Sequence, residues 1–300
     1  MSTLIARLAG PLQAWGAEPR LRTAPTHPTP TRSGVLGLFR AALGHGRNDS
    51  VEEISWLNDL DLAVRIDRPG VVAVDFHTIN PLPAAYEQFA WVDPAARGLV
   101  PVGTKTQKSG QAPRWLNGAT PMVTRRHLIH DAAFLLLAQG TAEDVERLAL
   151  ALANPVWTLA LGRKACTPAS PLLLGVHPAD LVPAARAVPL SSQPGRSSDP
   201  GAVRTTERTP EVDVVDTLFD EVATRSVDLV WLRGTVPAEL PQTGSRVVLD
   251  QPLGSHPQHG YAANQHTITR IDAPEHPELL TWAAQHLTHP HRASTPEMTA

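Results

Sequence analysis

Arg32 and Ser33 stand where a proline-stiffened loop, Thr26-His-Pro-Thr-Pro-Thr31, runs into an amphipathic stretch. Val35, Phe39, Ala42 and Leu43 recur at helical spacing and make one apolar face. That spacing predicts a helix with Ser33 as its N-cap and Gly44 closing its far end. An arginine just ahead of a helix N-terminus suits an anion, because the unpaired N–H groups and the helix dipole favour the same charge. The chemistry that fits is capture of an RNA phosphate. The plainer alternative is a capped helix beside a solvated arginine.

Other cations cluster too. Ala95–His130 holds Arg97, Lys105, Lys108, Arg114, Arg125 and Arg126 and no acid, and residues 1–48 set six arginines against Glu18 alone. The whole chain carries a formal net charge of −3. Residues 1–175 nevertheless hold 17 basic and 14 acidic side chains, whereas 176–300 hold 9 and 15. Screening confines each charge to about 8 Å in physiological salt, so clusters matter more than the total. These clusters are candidate phosphate contacts. Arg125 and Arg126 are neighbours on an expected strand, so one must face away from the other.

Metal-free RNA cleavage needs a base and an acid near a 2′-hydroxyl, and histidine suits that work near neutrality. His27, His77, His127, His130 and Tyr86 are available, but their spacing defines no site. Seven histidines lie between His256 and His291 without an acidic or cysteine partner at ligand spacing, so solvated loop histidines are expected and no metal. Cys166 is the lone cysteine, which leaves no disulfide and no cysteine zinc site within the chain. No phosphate-binding P-loop is present, and no cofactor is expected.

The elements that must position these residues follow from periodicity. Thr3–Ala9 sets Leu4, Ala6 and Leu8 against Ile5 and Arg7, as a half-buried strand should. Leu60–Asp67 and Val71–Ile79 flank Pro69-Gly70 and read as a hairpin. A basic stretch without helical period runs over Asn80–Pro121. His127–Leu137 returns to strand, Thr141 opens a helix with Asp144 three residues on, and Val156–Leu161 is a last strand candidate. Setting the insertion aside, strand, helix, strand, strand, strand, helix, strand approximates an α+β, split βαβ sandwich. Its helices would cover one sheet face and leave the other for a ligand, although the aromatic signature of RNA-recognition motifs is missing.

Residues 1–175 are expected to form this palm, with the insertion at about 80–123. Residues 176–300 are expected as a partly irregular extension, with a flexible stretch over 183–210 and a short hairpin of Val247–Leu249 with Thr267–Ile271. Beyond Pro274 a mobile tail is expected. No apolar run is long enough to span a membrane and the N-terminus reads as a strand rather than a signal peptide, so a cytoplasmic protein is expected.

Four segments, in their order and spacing, resemble the type I-E branch of the fifth Cas family, subunits of the CRISPR surveillance complex Cascade. They are Leu8-Ala-Gly-Pro-Leu-Gln-Ala-Trp-Gly16, Pro30-Thr-Arg-Ser-Gly-Val-Leu-Gly37, Asp75-Phe-His-Thr78 and Leu161-Gly-Arg-Lys-Ala-Cys-Thr-Pro168. Arg125–Phe134 fits as well, and Asp250-Gln-Pro-Leu253 fits loosely, with no role assigned there. The resemblance implies a modified ferredoxin-like, RRM-like palm whose insertion is a β-hairpin thumb. It further implies binding of the 5′ handle of CRISPR RNA, capping of the backbone filament, and contact with the large subunit and, through the complex, target DNA.

In that branch a separate subunit cuts the RNA, so no catalysis is expected. Arginine forks onto phosphate and unpaired bases stack on Trp or Arg. The expected RNA contacts are Gln13, Trp15, Arg32, Ser33, Arg163 and Lys164, then Lys105, Lys108, Arg114, Arg125 and Arg126. For Trp15 a core position is an equal alternative. Two other functions stay open: an endoribonuclease acting on CRISPR repeats, and a protein-interaction scaffold built on the acidic C-terminal half.

Overall fold

The computed structural model describes residues 2–16, 23–46, 52–79, 91–93, 98–100, 122–191, 224–252, 261–276 and 279–290. It is a mixed α/β structure dominated by antiparallel pairing. The main elements are β1 (Ser2–Ala9), α1 (Arg32–Leu43), β2 (Asp61–Arg68), β3 (Val71–Ile79), β4 (Met122–His130), β5 (Ala133–Gly140) and α2 (Ala142–Ala153). They continue with β6 (Leu173–His177), α3 (Leu181–Ala187), β7 (Thr224–Arg233), β8 (Gln242–Pro252), β9 (Tyr261–His276) and α4 (Leu279–His286).

The chain divides into two compact units. The larger comprises Met1–Ala17, Thr26–Val72 and Leu128–Ala300; the smaller comprises Glu18–Pro25 and Ala73–His127. In the larger, an eight-stranded sheet runs in the order β6-β1-β5-β2-β7-β9, with Leu190–Ser191 at the end and β8 also on β9. In the smaller, β3 pairs with β4, and Thr23–Ala24 lies parallel to β4 at Arg125 and Arg126.

Both faces of the large sheet are covered, which corrects the expectation of a free face. Leu4, Leu8, Val64, Phe134 and Leu136 pack with α1 and α2 on one side. Ile5, Ala63, Leu135, Leu137 and Trp231 pack with α3 and α4 on the other. Alternate residues of a strand point to opposite faces, so β1 is a doubly buried strand and not a half-buried one.

The second cover is fastened by Arg65, a fully buried arginine of β2. Its Nε and Nη2 donate to both carboxylate oxygens of Asp67 at 2.6 and 3.0 Å. Nη1 donates to the carbonyls of Ala185 (2.6 Å) and Val188, and Nη2 also donates to that of Pro189 at 3.2 Å. These carbonyls lie at the C-terminal end of α3, where helix carbonyls lack intrahelical partners and a cation is favoured. Residues 181–191, which include part of the stretch expected to be flexible, are therefore a helix and a short strand clamped to the sheet.

Local chemistry explains the ends of α1 and the start of α2. Thr141 caps α2, accepting from Asp144 N–H at 3.1 Å and donating to its carboxylate at 2.6 Å. Gly44 closes α1 in the left-handed conformation, as expected. The N-cap of α1 is Thr31 rather than Ser33, its Oγ1 accepting from Gly34 N–H at 3.3 Å.

Three expectations fail by tertiary context. β2 and β3 do not pair as a hairpin: β2 lies between β5 and β7, and β3 joins β4 instead. Val156 and Trp157 form no strand, because their N–H groups bind the carbonyls of Ala42 and Ala41 at the end of α1. Past Pro274 the chain forms α4, whose Leu279 and Ala283 are buried. A C-terminal hairpin exists but is longer and shifted from the expected pairing: Val247–Leu249 lie opposite Ala263–Gln265, and Thr267 lies opposite Ser245. Val212–Val222, whose spacing predicts a short amphipathic helix, lies outside the described residues. Among the described residues no helix is long and apolar enough to cross a membrane.

Candidate nucleic-acid interface

The end of β1 leads through Gly10-Pro11 into Leu12–Gln13, which pairs with His130 and Ile129 of β4. Gln13 is fully buried, and its Nε2 donates to the carbonyls of Leu8 (3.0 Å) and Ala132 (2.9 Å). Its Oε1 accepts from Trp15 Nε1 at 3.0 Å. Trp15 is also fully buried, and its backbone N–H donates to Thr26 Oγ1 at 2.8 Å. The indole lies against the first turn of α1 so closely that a Cβ on Gly34 would be 2.9 Å from the ring. Neither Gln13 nor Trp15 offers a side chain to solvent, the core position that was the equal alternative for Trp15. They hold the segment together.

The segment 161–168 packs on the same strand end. Leu161 N–H donates to Cys166 O at 2.7 Å, Cys166 N–H donates to Arg163 O at 2.8 Å, and Ala14 N–H donates to Leu161 O at 3.1 Å. Gly162 has φ of 91°, and a Cβ there would come within 1.7 Å of Ala14 O. Only glycine fits this approach. At its tip the loop leaves Arg163 partly exposed and Lys164 exposed. Gly162→Ala is expected to cost at least ~1–3 kcal/mol from backbone strain alone, read as a lower urea midpoint.

Signature segments 8–16, 30–37 and 161–168 are thus bonded and packed into one cluster. The anion site expected at α1 is already taken from within the chain. Arg32 N–H donates to Asp250 Oδ2 at 2.5 Å, and His266 Nε2 lies 2.9 Å from the same oxygen. Asp250 and His266 are completely buried, so His266 is not the solvated loop histidine expected. The Arg32 guanidinium donates to Asn58 Oδ1 at 3.1 Å and is itself nearly buried. Burial, reinforced by Arg233, lowers its pKa, and Asp250 opposes this.

This helix end therefore carries an internal carboxylate cap. Ser33 Oγ is 3.4 Å from Thr31 Oγ1, and Arg246 bonds Thr29 Oγ1 beside it. Sequence reasoning missed Asp250, whose only signal was the loose match at 250–253. Burial and Arg246 push the His27 pKa down, against a raising effect of Asp250, which disfavours the charged ring.

On the smaller unit, Arg125 and Arg126 are both exposed, because β3 and β4 carry open residues on both faces there. The Arg125 guanidinium sits 5.8 Å from the Phe76 ring centroid, and Thr124 Oγ1 donates to His77 O at 3.2 Å. His77 and His130 are exposed and His127 half-buried. Lys105, Lys108, Arg114 and Tyr86 lie outside the described residues.

Comparison with known proteins adds the family. A family profile described as CRISPR-associated protein (Cas_Cas5) matches residues 3–249. The CRISPR system Cascade subunit CasD of Escherichia coli (strain K12) is 34% identical over 185 residues, spanning 58% of this chain and 70% of that one. A chain of a solved CRISPR RNA-guided surveillance complex matches with a TM-score of 0.57 and 29% identity, covering 97% of this chain and 95% of that one. A crystal structure of a Cas protein matches with a TM-score of 0.53 and 27% identity, over 92% of this chain and 100% of that one. With a profile covering most of its length, the chain belongs to the CRISPR-associated Cas_Cas5 family.

Proposed function

We propose that the protein is a Cascade subunit in CRISPR defence which binds CRISPR RNA at its 5′ handle, caps the backbone filament and does not cut. The observation that carries this reading is the cluster of segments 8–16, 30–37 and 161–168. Trp15, Gln13 and Gly162 fix its backbone from inside, and Arg163 and Lys164 are held at its solvent side. Rigid backbone with arginine and lysine at its rim is what a single-stranded phosphate backbone requires.

The fold supports the same reading. β1, α1, β2, β5, α2 and β6, with strand order β6-β1-β5-β2, follow the ferredoxin-like plan, and we infer the palm from them. The insertion at about 80–123, with β3 and β4 as its stem, is the thumb, and Arg125 and Arg126 belong to the RNA face with Lys105, Lys108 and Arg114. β7, β8 and β9 extend the sheet, and α3 and α4 cover its second face. The subunit meets the backbone and large subunits in the cytoplasm.

Reversing Arg163 and Lys164 to Glu tests this. The slope of log affinity for repeat RNA against log salt is expected to flatten by roughly 0.7 for each phosphate that is no longer neutralised. An unchanged slope with unchanged affinity would remove the loop from the RNA face.

A further inference from the structure

We propose that Phe76, paired with Arg125, is a stacking step for an unpaired nucleobase, an inference that rests on the RNA-binding reading above. Alternation and contact place Phe76 and Val74 of β3 on one face with Val123 and Arg125 of β4. On that face Phe76 is 62% exposed, Val123 46% and Val74 42%. The opposite face carries Asp75, His77, Thr124 and Arg126, where Thr124 meets His77.

Phe76, Val74 and Val123 together leave an open apolar patch, the kind of surface that marks an interaction site. The occupant must accept both a flat apolar ring and nearby positive charge. Arg125 lies over the ring and is exposed. A protein segment would have to bring an apolar side chain and a carboxylate here together, whereas every nucleotide of a nucleic-acid strand carries an anion. Single-stranded RNA satisfies both: a base has a π-face for Phe76, and the backbone brings phosphates for Arg125. Stacking of this kind ignores base identity, because every base offers a ring. Phe76 therefore supplies grip without sequence readout.

The test uses the full chain with a single-stranded CRISPR-repeat oligonucleotide and an abasic ribose-phosphate oligomer of the same length. Phe76→Ala is expected to weaken binding of the oligonucleotide about 10- to 100-fold and to leave the abasic oligomer unaffected. Phe76→Trp is expected to bind the oligonucleotide at least as tightly as the parent, which controls for folding. Equal binding of the oligonucleotide by the parent and by Phe76→Ala would overturn the proposal. So would a Phe76→Ala effect confined to pull-down with the backbone subunit, which would give this face to a protein. If the parent binds neither oligomer, alone or with the backbone subunit, the RNA-binding reading itself fails. If Arg125→Glu with Arg126→Glu abolishes binding while Phe76→Ala does not, only the stacking step fails.

Discussion

Arg65→Ala is expected to lower the stability of the protein by about 3–5 kcal/mol, the effect of removing one partner from a buried ion pair. The loss has two sources. Asp67, whose side chain is 5% exposed, loses the guanidinium that donates to both of its carboxylate oxygens. The carbonyls of Ala185, Val188 and Pro189 lose their donor at the end of α3.

Arg65→Lys keeps the charge but not the fork, and an ammonium cannot serve these five acceptors in their fixed geometry. It is expected to recover less than half of the loss. Urea denaturation measures the total, and amide exchange localises it: protection across Leu181–Ala187 should fall before that of β1 or β5. A change below about 1 kcal/mol for Arg65→Ala, the size of an exposed pair, would mean that α3 is held by its apolar contacts alone.

Trp15→Ala is expected to cost about 3–5 kcal/mol, in the range for a large aromatic deleted from a core. It should also weaken RNA capture, although the indole touches no solvent. The ring fills the space against Gly34, and its Nε1–H is the donor to Gln13 Oε1. Trp15→Phe separates the two roles. It keeps much of the buried ring and leaves Gln13 Oε1 unpaired, so a loss of about 1–3 kcal/mol is expected from the orphaned acceptor. RNA affinity should follow stability through this series. A Trp15→Phe variant of native stability with abolished RNA binding would contradict the positioning role and return Trp15 to the RNA face.

What could be read from the sequence was what neighbours in the chain decide. The capping of α2 by Thr141, the apolar stripe of α1 and the closing Gly44 rest on contacts within a few residues. The cap of α1 was misplaced by two positions because Thr31 and Ser33 are both competent, and Trp15 against Gly34 helps fix which is used.

What the sequence hid lies at long range. Asp250 stands 218 residues from the helix it caps, and no local pattern pairs them. Arg65 alternates with Val64 and Ile66, so it reads as the solvent side of β2 until α3 is laid over it. α3 itself is Leu-Val-Pro-Ala-Ala-Arg-Ala, seven residues inside a Pro- and Ala-rich stretch, too short for a periodic signal. Pro69-Gly70 is a true break, but β3 leaves β2 for β4, a choice made by the partner strand. Of the expected site residues, the exposed cations Lys164, Arg125 and Arg126 stay on the surface, and Gln13, Trp15 and Arg32 go inside because their polar atoms have partners within the fold.

Whether this subunit holds CRISPR RNA and leaves it intact is decided by labelled CRISPR-repeat RNA and the purified protein, run on native and denaturing gels with and without the backbone subunit. A shifted, intact RNA is expected, shifted more strongly when the backbone subunit is present. Cleavage at one site by this protein alone would make it the processing enzyme and turn attention to His27, His77, His127 and His130. Absence of any shift under either condition would contradict the RNA-binding reading and leave a protein scaffold in its place.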